Sequence, residues 1–234
     1  MKSHGHADQA RERLIVALDV ETATDAFALV STLKGEISWF KIGLQLFTSA
    51  GPSIIRKIAD SGARIFLDLK LHDIPNTVAK AVGAAGAHKV QMLSIHLSGG
   101  RAMIEAAVTA KPENLTILGV TVLTSCDTET LRETGISATP REQVLRLAEL
   151  GRQCGIDALV ASPQEIEPLR GKFGASMKII APGIRPGWSD ADDQKRVMTP
   201  REAIEKGADY IVIGRPITAH SDPLAAVRKI VADL

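Results

Sequence analysis

Residues 68–77 read DLKLHDIPNT and set Asp68, Lys70 and Asp73 within six positions of one another. Side chains alternate along a β-strand, so in a strand Asp68 and Lys70 share one face while Leu67 and Leu69 share the other. An ammonium beside carboxylates is equipped for proton transfer and for balancing charge on a reacting molecule. It is equally the make-up of a structural ion pair, and this strand alone does not separate the two. Other ionisable groups close similar apolar runs: Asp19 after LIVAL, Lys41 within WFKIG and His96 after MLSI. Each alone could be a satisfied core polar group. Several converging at one place are costly to desolvate unless they serve a purpose. Lysines and aspartates of alternating sign would keep one another charged near neutral pH.

A second chemistry is written near the C-terminus, in 181-APGIRPG-187 and 213-IGRPI-217. Gly214 allows an anion to approach the backbone, and Arg215 offers a fork of charged donors suited to phosphate. Between these segments, residues 187–199 (GWSDADDQKRVMT) are polar and poor in core formers, a composition that suits a mobile lid or a plain surface loop.

Such groups need a scaffold that brings distant segments together. Short apolar, β-branched runs recur at 14–19, 38–43, 64–69, 90–96, 115–122, 157–161, 177–181 and 209–214. Their nearly continuous hydrophobicity predicts strands covered on both faces, as in parallel sheets. Amphipathic segments separate them, several opened by pairs such as Thr199-Pro200 or Asp222-Pro223 and several ended by glycine. Eight alternations without a composition break predict a single (β/α)₈ barrel, with an open doubly wound sheet as the alternative. In such barrels the strand C-termini build the active site, and the loops after strands seven and eight often hold phosphate. Residues 1–11 are expected to be a flexible leader and 12–234 the catalytic barrel. His4 and His6 in that leader read as part of a frayed terminus rather than as metal ligands.

Composition narrows the partners. The chain has 234 residues, 45% hydrophobic, with 28 Lys plus Arg against 27 Asp plus Glu. This near-zero balance supplies no field for nucleic acid or a membrane, and 3% aromatics supply few stacking platforms. No apolar run reaches the roughly 18 residues of a membrane span, and the first residues lack the apolar core of a signal peptide. Cys126 and Cys154 form neither a metal pattern nor a disulfide framework, which fits a cytoplasmic protein.

Taken together these motifs resemble the orotidine 5′-phosphate decarboxylase family. The D-x-K-x-x-D-I-P-N-T run at 68–77 carries the resemblance, along with Ala17-Leu18-Asp19, Phe40-Lys41-Ile42-Gly43, Leu123-Thr124-Ser125, APGIRP, Asp193-Gln194 and Ile213-Gly214-Arg215-Pro216. It implies decarboxylation of orotidine 5′-monophosphate to uridine 5′-monophosphate, the last step of pyrimidine nucleotide synthesis, with no cofactor and no metal. It further implies that Asp19 and Lys41 contact the ribose and that Lys41, Asp68, Lys70 and Asp73 form the catalytic network. Thr124 and Ser125 would lie near the pyrimidine, and Arg185, Gln194, Gly214 and Arg215 would hold the phosphate, with Gln194 on a closing lid. Asp73 and Thr77 would come from the other subunit of a homodimer. One position departs from the pattern: Leu97 follows His96 where a small residue is expected, which should alter packing near strand four without touching a catalytic group. Sugar-phosphate decarboxylases and aldolases of the same barrel group share D-x-K-x-x-D but typically need Mg²⁺. A non-catalytic nucleotide-binding barrel is the alternative of another class.

Overall fold

The structure, a computed structural model, describes residues 3–189 and 198–234. Eight strands form a closed barrel in chain order: β1 Leu14–Ala17, β2 Trp39–Gly43, β3 Arg64–Leu71, β4 Met92–His96, β5 Thr116–Val120, β6 Ala158–Val160, β7 Lys178–Ala181 and β8 Tyr210–Ile213. Every neighbouring pair is parallel, and β8 closes onto β1 with Leu14 opposite Ile211 and Val16 opposite Ile213. Closure excludes the open sheet, and the chain is a (β/α)₈ barrel.

The two-faced burial expected of the strands has a simple origin. Alternate side chains point inward and outward, so Ile15, Ala17, Phe66, Leu118 and Val212 fill the barrel interior. Their neighbours Leu14, Val16, Ile65, Leu67 and Ile211 pack beneath the surrounding helices. At the strand N-termini, Trp39 and Tyr210 meet edge to face at 5.9 Å, and the Arg64 guanidinium lies 4.7 Å from the Trp39 ring centroid. These rings fill the N-terminal end of the barrel. Polar side chains gather at the opposite end.

Helix openers act as their sequences predict. Thr199 and Glu202 form a reciprocal capping box: the Thr199 N–H donates to Glu202 Oε2 at 2.9 Å, and the Glu202 N–H donates to Thr199 Oγ1 at 3.3 Å. Asp222 caps the last helix by accepting from the Ala225 N–H at 3.0 Å. Across the segment expected as a leader, Ser3–Arg13 is helical. It lacks an apolar stripe, so periodicity does not reveal it. Its hold comes from Ala10, which is buried, and from Arg11 and Arg13. Arg11 pairs with Glu36 at 2.8 Å, and Arg13 donates to the carbonyls of Ala208 and Asp209.

Leu97 lies away from the barrel mouth, fully buried in the shell between strands and helices. Its bulk occupies a niche left by two glycines. A Cβ on Gly119 of β5 would stand 2.8 Å from Leu97 Cδ2, and one on Gly151 of helix Pro140–Gln153 would stand 3.1 Å from it. Leu97→Ala is expected to destabilise the protein by about 2–5 kcal/mol through the cavity left behind. Gly119→Ala should cost about 1–3 kcal/mol by overpacking in the native background and close to nothing when Leu97 is alanine. Denaturant unfolding of the four proteins measures this, and additive costs would refute the niche.

Candidate active site

At the C-terminal mouth the charged residues form a chain of alternating sign. Lys41 Nζ donates to Asp19 Oδ1 at 3.0 Å and stands 3.6 Å from Asp68 Oδ2. The same Asp68 oxygen accepts from Lys70 Nζ at 2.9 Å, while Asp68 Oδ1 accepts from the Ser94 hydroxyl at 2.8 Å. Burial pushes the Asp68 carboxyl upward, but the Lys41 and Lys70 ammoniums and the hydrogen bonds from Lys70 and Ser94 outweigh it and hold it below the usual carboxylate range. Asp68 therefore stays ionised near neutral pH, and each cation in the chain touches an anion.

Glycine leaves room for the first link. A Cβ at Gly43 would fall 2.9 Å from Lys41 Nζ and 3.1 Å from Asp19 Oδ1, so a side chain there would push the two partners aside. Gly214 approaches the same aspartate from β8, its virtual Cβ 3.4 Å from Asp19 Oδ2. Asp19 thus joins the charged chain to the Gly214–Arg215 turn.

β3 reaches the mouth by an irregular path. Leu67 pairs with Leu93 and Leu71 with Ile95, so three residues of β3, from Asp68 to Lys70, span the single Ser94 of β4. Lys70 adopts φ +50°, a left-handed conformation uncommon for a side chain of this kind. Leu67, Leu69 and Leu71 nevertheless pack outward. Asp68 and Lys70 line a cavity of about 140 Å³ at the mouth, together with Lys41, Phe66, Leu123 and Thr124.

The remaining candidates are spread more widely. Ser125 is exposed beside Thr124 and is absent from the cavity wall. Gly214 precedes the one-turn helix Arg215–Thr218, with Arg215 exposed at its start. Arg185 follows β7 and is buried, its backbone N–H donating to the Met198 carbonyl at 3.0 Å. Gln194, with residues 190–197 of the expected lid, lies outside the described residues. His96 ends β4, with its ring centroid 5.5 Å from that of His72. Burial lowers its pKa, helped by His72 and Lys70 and opposed by Asp68. Asp73 and Thr77 are exposed away from the cavity, and Asp73 Oδ1 accepts from the Ile74 N–H at 2.6 Å. Ile74 itself is 66% exposed.

One residue of the site was missed in the sequence, Ser94, which could have been found by alternation, because it shares the inward face of β4 with Met92 and His96. Gly43 stood in the Phe40–Gly43 motif without a role of its own. Among the described residues, no group of three or more His, Cys, Asp or Glu side chains is arranged to hold a metal ion.

Similarity to known proteins agrees with this geometry. A protein from Syntrophotalea carbinolica named orotidine 5′-phosphate decarboxylase is 46% identical over 234 residues, covering 97% of this chain and 96% of its own. One of the same name from Moorella thermoacetica is 48% identical, covering 96% of this chain and 93% of its own. The crystal structure of orotidine 5′-phosphate decarboxylase from Lactobacillus acidophilus superposes with a TM-score of 0.84 at 35% identity, covering 95% of this chain and 98% of that one. The profile of the orotidine 5′-phosphate decarboxylase / HUMPS family matches residues 12–230, nearly the whole barrel, and the chain belongs to that family.

Proposed function

We propose that the protein decarboxylates orotidine 5′-monophosphate to uridine 5′-monophosphate, as a cytoplasmic homodimer that needs neither cofactor nor metal. The observation that carries this reading is the chain Asp19–Lys41–Asp68–Lys70, which delivers an ammonium to the wall of a small, otherwise largely apolar cavity. At about 140 Å³ the cavity is below the roughly 300–1,000 Å³ of typical ligand pockets, so it suits a pyrimidine ring. The ribose then lies over Asp19 and Lys41, and the phosphate reaches Gly214 and Arg215, with Arg185 and Gln194 as further phosphate ligands. Thr124 and Ser125 face the base.

Breaking the bond from C6 to the carboxylate leaves an electron pair in the plane of the ring, where the ring π system cannot absorb it. Lys70 stabilises that localised charge and then gives its proton to C6, and solvent returns the proton to the amine. Asp68 fixes the position of Lys70. A repulsive contact with the departing carboxylate is the weaker account, because protonation or movement would relieve it. General acid catalysis supplies about 10²–10⁴-fold, far short of the roughly 10¹⁷-fold that difficult reactions demand. Preorganised charge and binding energy from the remote phosphate must provide the rest.

The strain at Lys70 favours catalysis over a structural ion pair, since a pair meant only for stability needs no left-handed lysine. Exposed Asp73 and Thr77, flanking the exposed Ile74, support the dimer in which they complete the neighbouring site. The two thiols, Cys126 and Cys154, are free, as expected in a reducing compartment, and no helix among the described residues is long and apolar enough to cross a membrane.

Mixing the protein with orotidine 5′-monophosphate in EDTA and following the fall in ultraviolet absorbance tests the reading. Turnover is expected to continue undiminished. No turnover would sink it, and turnover lost only on chelation would show that the reaction needs a metal ion, as it does in the sugar-phosphate enzymes of the same barrel group. Arg215→Ala is expected to raise KM by about 10–150-fold, the worth of a charge-assisted hydrogen bond, with little change for the nucleoside lacking phosphate. Equal damage with both substrates would mean that Arg215 acts elsewhere.

A further inference from the structure

Ser94 stands at the centre of β4, fully buried, under the arch where three residues of β3 span one of β4. An arch of this kind interrupts the ladder between the strands, and its backbone groups need other partners. The Lys70 N–H finds one in Ser94 Oγ at 2.9 Å. A backbone N–H only donates, so the serine oxygen accepts there, and its own hydrogen is left for Asp68 Oδ1 at 2.8 Å. One hydroxyl therefore ties both ends of the arch. It holds the backbone of Lys70 in its left-handed turn, and it clamps the Asp68 carboxylate so that the other oxygen faces Lys70 Nζ and Lys41 Nζ.

We propose that Ser94 is a positioning residue for the reaction, acting through Asp68 and the Lys70 backbone to aim the lysine ammonium at the substrate carbon. This rests on the decarboxylase reading above. The bland alternative is a buried serine that merely satisfies its neighbours, and loss of such a serine would weaken folding without a selective effect on the chemical step.

The test compares Ser94→Ala, Ser94→Thr and Ser94→Val with the wild-type protein. Threonine and valine crowd the site alike, and only threonine keeps the hydroxyl. Circular dichroism and binding of uridine 5′-monophosphate establish that each variant is folded. Ser94→Ala and Ser94→Val are expected to lower kcat by about 10²-fold, the usual effect of an ångström-scale misplacement, with KM within about threefold. Ser94→Thr should stay within about tenfold of the wild type. The acid limb of kcat/KM should move to higher pH in the alanine and valine variants. Asp68 there loses a hydrogen bond that favours its ionised form, while Lys41, Lys70 and His96 still face it.

Full kcat in Ser94→Ala, a loss confined to KM, or equal rates for the threonine and valine variants at any level would each overturn the positioning role. Failure of the wild-type protein to decarboxylate orotidine 5′-monophosphate would overturn the functional reading instead.

Discussion

Lys70→Ala is expected to lower kcat for orotidine 5′-monophosphate by at least about 10⁴-fold, because in the proposed mechanism it removes the proton donor and the charge facing the carbanion together. Affinity for uridine 5′-monophosphate should change far less, since the phosphate and ribose contacts proposed for Arg215, Gly214 and Asp19 would remain. Near-normal turnover would refute the assignment. The backbone adds a second, independent reading of the same position. At φ +50° a β-carbon costs about 1 kcal/mol relative to glycine. Lys70→Gly should therefore be about 1 kcal/mol more stable than Lys70→Ala, although both lack the ammonium and the usual ranking in strands runs the other way. Urea unfolding of the two variants decides this. If alanine is the more stable, the left-handed turn is not a feature of the protein in solution.

Mixing two inactive proteins should restore activity. Asp73→Ala is expected to lose at least about 10²-fold in kcat, as removal of one electrostatic group from such a site does. If the Asp73 serving each site belongs to the partner subunit, a heterodimer of Lys70→Ala and Asp73→Ala chains carries both lesions in one site and neither in the other. Random reassortment makes about half of the dimers mixed, so about a quarter of the wild-type activity returns. Co-expressing the two chains, or refolding them together, and assaying turnover measures the recovery. A mixture no more active than its components would mean that Asp73 serves its own chain or none. The exposed carboxylate of Asp73, which lines no part of its own subunit's cavity, is the reason to expect recovery.

The barrel was legible because its signals are local. A run such as LIVALD declares a strand buried on both faces within six residues, and eight such runs separated by amphipathic segments leave few architectures to choose from. Local signals likewise marked the helix openers Thr199-Pro200 and Asp222-Pro223, and they placed Asp19, Lys41, Asp68 and Lys70 in or just beyond the first three strands of a fold that keeps its chemistry at the strand C-termini. The helix at Ser3–Arg13 escaped because its support comes from Glu36 and from the carbonyls of residues 208 and 209, remote in the chain.

Amino-acid order by itself determined the eight strand–helix alternations, the Asp-x-Lys pair and the Gly-Arg motif, since each depends on residues within a few positions; closure into a barrel came from the pairing of β8 with β1. Tertiary structure alone decided how those charges are aimed. Simple alternation placed Asp68 and Lys70 on the correct face, yet β3 does not alternate regularly there: it arches over Ser94, and Lys70 turns left-handed to reach the cavity. The same holds for Leu97, whose bulk is absorbed by glycines of β5 and of a helix more than fifty residues on. Register and fit between strands follow from closure of the whole barrel, because a hydroxyl or a missing Cβ contributed by another strand has no trace in the periodicity of the segment it shapes.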